Sequence, residues 1–161
     1  MVTNEEIRQV LAELKALSPS GLAIAFHIRF TTPAFLFQTY PKEWLAVYNQ
    51  RGLVMQDPIV GWAFANSGTT RWSNLTEVDP AGVLPAAAEF NMNYGVAAGV
   101  EELGSRSVAG FARPDREFTD EEIKTLFAGV QLLHKMTAEA KSVSDKQREE
   151  LRRLSISLTH P

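Results

Sequence analysis

The stretch on which both the fold and the site turn is Tyr40-Pro-Lys-Glu-Trp44-Leu-Ala-Val-Tyr48-Asn-Gln-Arg-Gly52-Leu-Val-Met-Gln-Asp57-Pro58. Tyr40, Trp44 and Tyr48 recur every fourth residue, so a helix opening with Pro41 in its first turn carries them as one stripe of large rings, each ending in a polar atom. Gly52 ends that helix. Pro58 biases Asp57 away from the α region, leaving the carboxylate to cap the next element or to turn inward. A buried run of hydroxyl, indole N–H, hydroxyl and carboxylate must find a partner for every polar tip. Two arrangements meet that need: rings packed on a sheet with their tips reaching backbone or solvent, or tips converging on a ligand.

On the C-terminal side, Ile59, Val60, Trp62 and Ala63 predict a short helix that ends at Asn66-Ser67-Gly68. Residues 69–72 read as extended or irregular. Asp79-Pro80 predicts a capped helix with proline at its first position, carrying Val83, Leu84, Ala87 and Phe90 on one side. Tyr94, Val96, Ala98 and Val100 alternate as in a strand, and Gly104-Ser105 predicts a two-residue turn of the II′ kind into a returning strand over 106–113. Thr119 with Glu122 forms a capping box for a long amphipathic helix through Ile123, Leu126, Phe127, Val130, Leu133 and His134, running to about residue 140.

On the N-terminal side, Thr3 with Glu6 caps a helix whose apolar face is Ile7, Val10, Leu11, Leu14 and Leu17. Ile24, Phe26, Ile28 and Phe30 alternate as a strand, with His27 and Arg29 expected on its other face. After Thr31-Thr32-Pro33, residues 34–38 form a second short strand that delivers the chain to Tyr40. Helices before, between and after these strands predict an α/β fold, a three-layer α/β/α sandwich around a central, mostly antiparallel sheet of about five strands.

Composition narrows the function. With 161 residues and 45% apolar content the chain suits one domain with a sizeable core, and a net charge of −3 gives no electrostatic reason to expect nucleic acid. The absence of cysteine excludes disulfides, thiol catalysis and cysteine metal sites. No signal peptide or bilayer-length apolar run is seen, which makes the cytoplasm the default compartment and a membrane role unexpected. His27, His134 and His160 lack metal-ligand spacing with a carboxylate, and His134 reads as a packed or rim residue. Neither a Gly-x-Ser-x-Gly elbow nor a phosphate-binding glycine loop occurs. No metal, cofactor or catalytic residue is therefore expected.

The tyrosine, tryptophan, tyrosine and Asp57-Pro58 at steps of four, four and nine, then Trp72 fifteen further on and the glycines at 95 and 99, resemble the autoinducer-binding domain of LuxR-type quorum-sensing regulators. The resemblance spans nearly the whole chain and implies the same sandwich and a ligand, an N-acyl homoserine lactone. It implies that Trp44 donates to the lactone carbonyl, Tyr40 to the amide carbonyl, that Asp57 accepts the amide N–H, and that Trp72 packs on the lactone ring. Tyr48, Leu36 and Val60 are placed around the acyl chain from their positions alone. Val108-Ala109-Gly110-Phe111 stands where several members carry a hydroxyl residue beside the amide carbonyl. More room near the amide is therefore expected, and aryl or unusual acyl signals stay open beside the simple lactones.

Residues 1–140 are thus expected to form the sensor domain and 141–161 a charged linker, with one further short helix over 145–154 capped by Ser144 and Gln147. In the resembled family a helix-turn-helix DNA-binding domain comes next, and no such domain is present in this chain. The implied partners are a small-molecule autoinducer, a second copy in a homodimer, and DNA only through that missing domain. Two alternatives from other classes are a standalone module that heterodimerises with a full-length regulator and inhibits it, and an enzyme acting on acyl amides.

Overall fold

The computed structural model describes residues 2–30 and 32–141. Five strands, β1 (Gly21–Ile28), β2 (Phe35–Gln38), β3 (Gly68–Arg71), β4 (Tyr94–Glu102) and β5 (Ser105–Arg113), form one antiparallel sheet in the order β2-β1-β5-β4-β3. Helices α1 (Asn4–Leu17) and α5 (Asp120–Lys141) cover one face. Helices α2 (Lys42–Gln50), α3 (Pro58–Ala65) and α4 (Val83–Ala88), with 3-10 turns at Leu53–Gln56 and Trp72–Val78, cover the other. The result is the three-layer sandwich expected. Nearly all of the tail expectation, including the helix over 145–154, lies outside the described residues.

The two sheet faces are built from side chains of different size. Toward α1 and α5 point Leu22, Ile24, Phe26, Val96, Val100 and Phe111, which pack with Ile7, Leu11, Leu14, Leu126, Val130 and Leu133 into a closed core. The alternate positions are small: Ala23, Ala25, Gly95, Ala97, Gly99 and Gly110. Because successive strand residues face opposite ways, this alternation fills one side and leaves volume on the other. Both long helices start as expected. Thr3 and Glu6 bond reciprocally, as do Thr119 and Glu122.

Three local expectations change. The alternation in β1 fails after Phe26, because the pairing with β5 shifts between Ala25 and Ile28 and His27 takes a left-handed φ of 52°. The bulge adds a residue on one side, so His27 turns toward α5 beside Phe26, Ile28 faces the opposite layer, and Phe30 lies outside the strand and exposed. The β4–β5 ladder runs on to Glu102 opposite Ser105, so the turn residues are Leu103 and Gly104, with φ of 59° and 74° as a type I′ turn requires. Asp79 does cap α4, but from four residues ahead: its carboxylate accepts from the amides of Val83 and Leu84 at 2.8 and 2.9 Å, and Pro80 sits in the preceding turn.

Candidate functional site

The volume left on the small-residue face is a cavity of about 360 Å³ between the sheet and helices α2 to α4. Tyr40, Trp44, Tyr48, Asp57, Trp72, Leu36 and Val60, which come from five different segments, all stand on its walls. Trp44 and Trp72 are almost wholly buried and Asp57 nearly so. The Trp44 ring packs 5.7 Å, centroid to centroid, from both Tyr48 and Phe90. That turns Trp44 and Tyr48 of α2 inward as the spacing predicts, but the helix begins only at Lys42, with Pro41 as its N-cap, so Tyr40 reaches the cavity from the bend ahead of it.

Asp57 is held by its own local structure. It is the N-cap of α3, with Pro58 at the first helical position, and its Oδ1 accepts the Ile59 amide at 2.8 Å. The Tyr48 hydroxyl donates to Oδ2 at 2.8 Å. Each carboxylate oxygen has a second lone pair, so acceptor capacity remains. Burial pushes the Asp57 carboxyl above its usual range, and the Tyr48 hydroxyl and the amides of Ile59 and Val60 partly oppose that rise. Burial, helped by the charge on Asp57, raises both Tyr40 and Tyr48, so each phenol keeps its proton and stays a donor.

Two glycines admit the rings. A Cβ built on Gly95 would lie 2.1 Å from Cδ2 of Trp72, so the indole rests directly on the strand backbone. A Cβ on Gly110 would lie 2.6 Å from the Tyr40 hydroxyl oxygen. The extra room expected at Gly110 is thus taken up by Tyr40. The indole Nε1 of Trp72 is the buried side-chain polar atom without a hydrogen-bond partner among the described residues.

Of the sheet's own contribution, sequence reasoning named Leu36 and the stretch around Gly110 but passed over Ala23, Ala25 and Gln38. The signal was the run of small residues at alternate strand positions. His27 and His134 lie elsewhere, on the α5 side of the sheet, both buried with ring centroids 4.3 Å apart. Among the described residues no group of three or more histidines, cysteines and carboxylates is placed to hold a metal ion, and no helix is long and apolar enough to cross a membrane.

A cavity with polar groups converging at one end, enclosed between a sheet face and its covering helices, defines a small-molecule-binding domain. Residues 23–140 match the autoinducer binding domain family, and the chain belongs to it. Its fold is shared with CepR2 from Burkholderia cenocepacia, an N-acylhomoserine lactone dependent LuxR family transcription factor (22% identity, TM-score 0.62, 84% of each chain covered). It is shared too with SdiA from Escherichia coli (17% identity, TM-score 0.59, 99% of this chain and 85% of that one). The ligand-binding domain of VqsR from Pseudomonas aeruginosa has the same fold (17% identity, TM-score 0.55, 84% and 88% covered). No curated protein matches the sequence. The domains of this family are ligand-sensing regulatory domains, and this chain is one of them.

Proposed function

We propose that this domain binds an N-acyl homoserine lactone, or a related acyl or aryl signal with the same polar head, and passes its presence to a DNA-binding domain. The observation that carries the reading is Asp57: a carboxylate in the wall of a largely apolar cavity, oriented by Tyr48 and the Ile59 amide, with acceptor capacity left over. Such a group is costly to bury and is offset by a donor brought in by a ligand, for which an amide N–H is the matching partner. Trp44 and Tyr40 supply donors for the lactone and amide carbonyls, Trp72 a face for the ring, and Tyr48, Leu36 and Val60 the wall around the chain. CepR2 is described as N-acylhomoserine lactone dependent, and SdiA has been solved with octanoyl-rac-glycerol, whose hydroxyls offer a carboxylate a donor in place of an amide.

The domain works as a regulator in a homodimer of the cytoplasm and not as an enzyme. Native mass spectrometry of protein expressed with and without N-octanoyl homoserine lactone tests this. A bound species of the mass of the intact lactone is expected. Unloaded protein at saturating lactone, or a hydrolysed product, would overturn the assignment.

A further inference from the structure

The cavity has a direction, which the strand register and two contacts of α3 define. At one end Gly110 is paired with Ala23, and Ala23 with Gln38. Here lie the Tyr40 hydroxyl and Trp72, both close to the α-carbon of Gly110, and the first turn of α3, whose Ile59 Cγ2 would stand 3.5 Å from a Cβ at that position. One row on, Val108 is paired with Ala25, and Ala25 with Leu36; beyond that, Arg106 is paired with Ile28. There the other end of α3 arrives, with the Ala63 carbonyl accepting from Arg106 Nη1 at 2.8 Å. From the row of Gly110 to that of Arg106 is four strand residues, about 13 Å.

Polarity changes along this axis. The row of Gly110 gathers the Tyr40 phenol, the Trp72 indole and the start of α3, whose N-cap is Asp57, and Trp72 and Asp57 are both buried. Toward the row of Arg106 the cavity wall is apolar and reaches the surface: Phe64, the residue after Ala63, is 38% exposed and Leu36 is 41% exposed, although both line the cavity. Two large apolar side chains, Leu36 and Phe64, that belong to the cavity wall and also meet solvent make an open lip instead of a closed end.

We propose that the slot is open at its apolar end, and that a ligand chain too long for the slot runs out between Leu36 and Phe64 and covers that lip. The proposal rests on the reading of Asp57 and its neighbours as the head-group site. A closed slot rejects a chain longer than itself, since overpacking displaces the walls. An open one does not. Affinity should therefore climb by about fourfold per methylene while the chain is enclosed, then flatten, and stay level for chains that protrude.

The test is a calorimetric series of N-butanoyl, N-octanoyl, N-dodecanoyl and N-hexadecanoyl homoserine lactone against the wild type, Phe64→Ser and Leu36→Ser, with the mass of each protein measured in parallel. The expected result is a plateau at the long end, with the ratio of dodecanoyl to butanoyl affinity reduced about fivefold or more in Phe64→Ser. Should Phe64→Ser not fold, Leu36→Ser, at a side chain 41% exposed, gives the same ratio test. A sharp loss of affinity at hexadecanoyl would show a closed slot and overturn the proposal while leaving the head-group reading intact. An unchanged ratio with a smaller mass for the lip variants would assign the lip to a second copy of the chain and also overturn it. Failure of every lactone to bind would instead remove the head-group reading, and this proposal with it.

Discussion

The hydroxyl of Tyr40 fills the space that a side chain at position 110 would need, a Cβ built on Gly110 lying 2.6 Å from that oxygen. Phenol and strand backbone are in contact because residue 110 has no Cβ. Gly110→Ala must therefore push the phenol into the cavity or the backbone outward. Overpacking of this kind costs about 1–3 kcal/mol. The expected outcome is a lower melting temperature together with at least tenfold weaker ligand binding, because the displaced ring is the proposed head-group donor. In a Tyr40→Phe background the same substitution should cost clearly less stability. A double-mutant cycle by thermal denaturation measures the difference, and additive effects would disprove the contact.

Asp57→Asn separates stability from function. Burial raises the Asp57 carboxyl in the folded state, so the folded protein binds more protons than the unfolded one from the ordinary carboxylate range upward to the raised value. Stability then falls as pH rises through that window, and the loss persists at neutral pH. Asparagine can keep the Ile59 amide and the Tyr48 hydroxyl as partners without a charge, so the unliganded variant should melt no lower than wild type at pH 7 and lose that part of the pH dependence. Its affinity for an acyl amide should drop about one to two orders of magnitude, the worth of a charge-assisted hydrogen bond. Wild-type affinity should in turn rise with pH as the carboxyl ionises. Asp120→Asn, at an exposed ion pair with Arg71, is the control and should bind as wild type does. Calorimetry across pH 4 to 8 gives both readings.

Much of this was legible in the chain because it depends on local spacing. The steps of four bring Trp44 and Tyr48 to one side of α2 with Tyr40 just ahead of the helix, and Asp57-Pro58 marks a helix start, so the neighbourhood of these polar groups was legible from helix geometry and capping, while their roles came from the family resemblance. The features that escaped depend on strand pairing. The bulge that moves His27 and Ile28 to faces opposite to those the alternation gives, and the Leu103-Gly104 turn, are fixed by hydrogen bonds to β5 and β4 across the sheet. The Tyr40 contact at Gly110 joins residues seventy positions apart, and a glycine in a strand does not say which ring will occupy its missing side chain.

The two histidines of the α5 layer form a polar network whose loss should affect folding alone. His134 Nε2 donates to the Glu102 carbonyl at 2.7 Å, since a carbonyl can only accept, and its Nδ1 takes the Ser107 hydroxyl at 2.6 Å. His27 Nε2 meets the carbonyl of His134 and the hydroxyl of Thr137, both at 2.9 Å. Ser107→Ala leaves the buried Nδ1 of His134 without its donor, at a cost of about 1–3 kcal/mol. At about 2–4 °C per kcal/mol for a chain of this size, differential scanning calorimetry should show a clear drop in Tm. Ligand affinity should stay within about twofold of wild type, because the network lies across the sheet from the cavity; a larger change would couple the two layers.

Gly95 and Gly61 make opposite predictions for the same substitution. At Gly95 the built Cβ would stand 2.1 Å from the Trp72 ring, within the indole itself, so Gly95→Ala cannot be accommodated by a small shift. The indole has to leave the strand, and the free volume beside it is the cavity. The variant should lose ligand binding altogether while the rest of the sandwich, held by the independent core under α1 and α5, still melts cooperatively, lower by about 1–3 kcal/mol. Gly61 lies inside α3 with nothing within 4 Å of a built Cβ. Gly61→Ala should therefore stabilise by about 0.4–1 kcal/mol through the lower entropy of the unfolded chain, and bind normally. Thermal melts and lactone titrations on the two variants decide the matter: equal binding by both would mean that Trp72 does not form a wall of the ligand site.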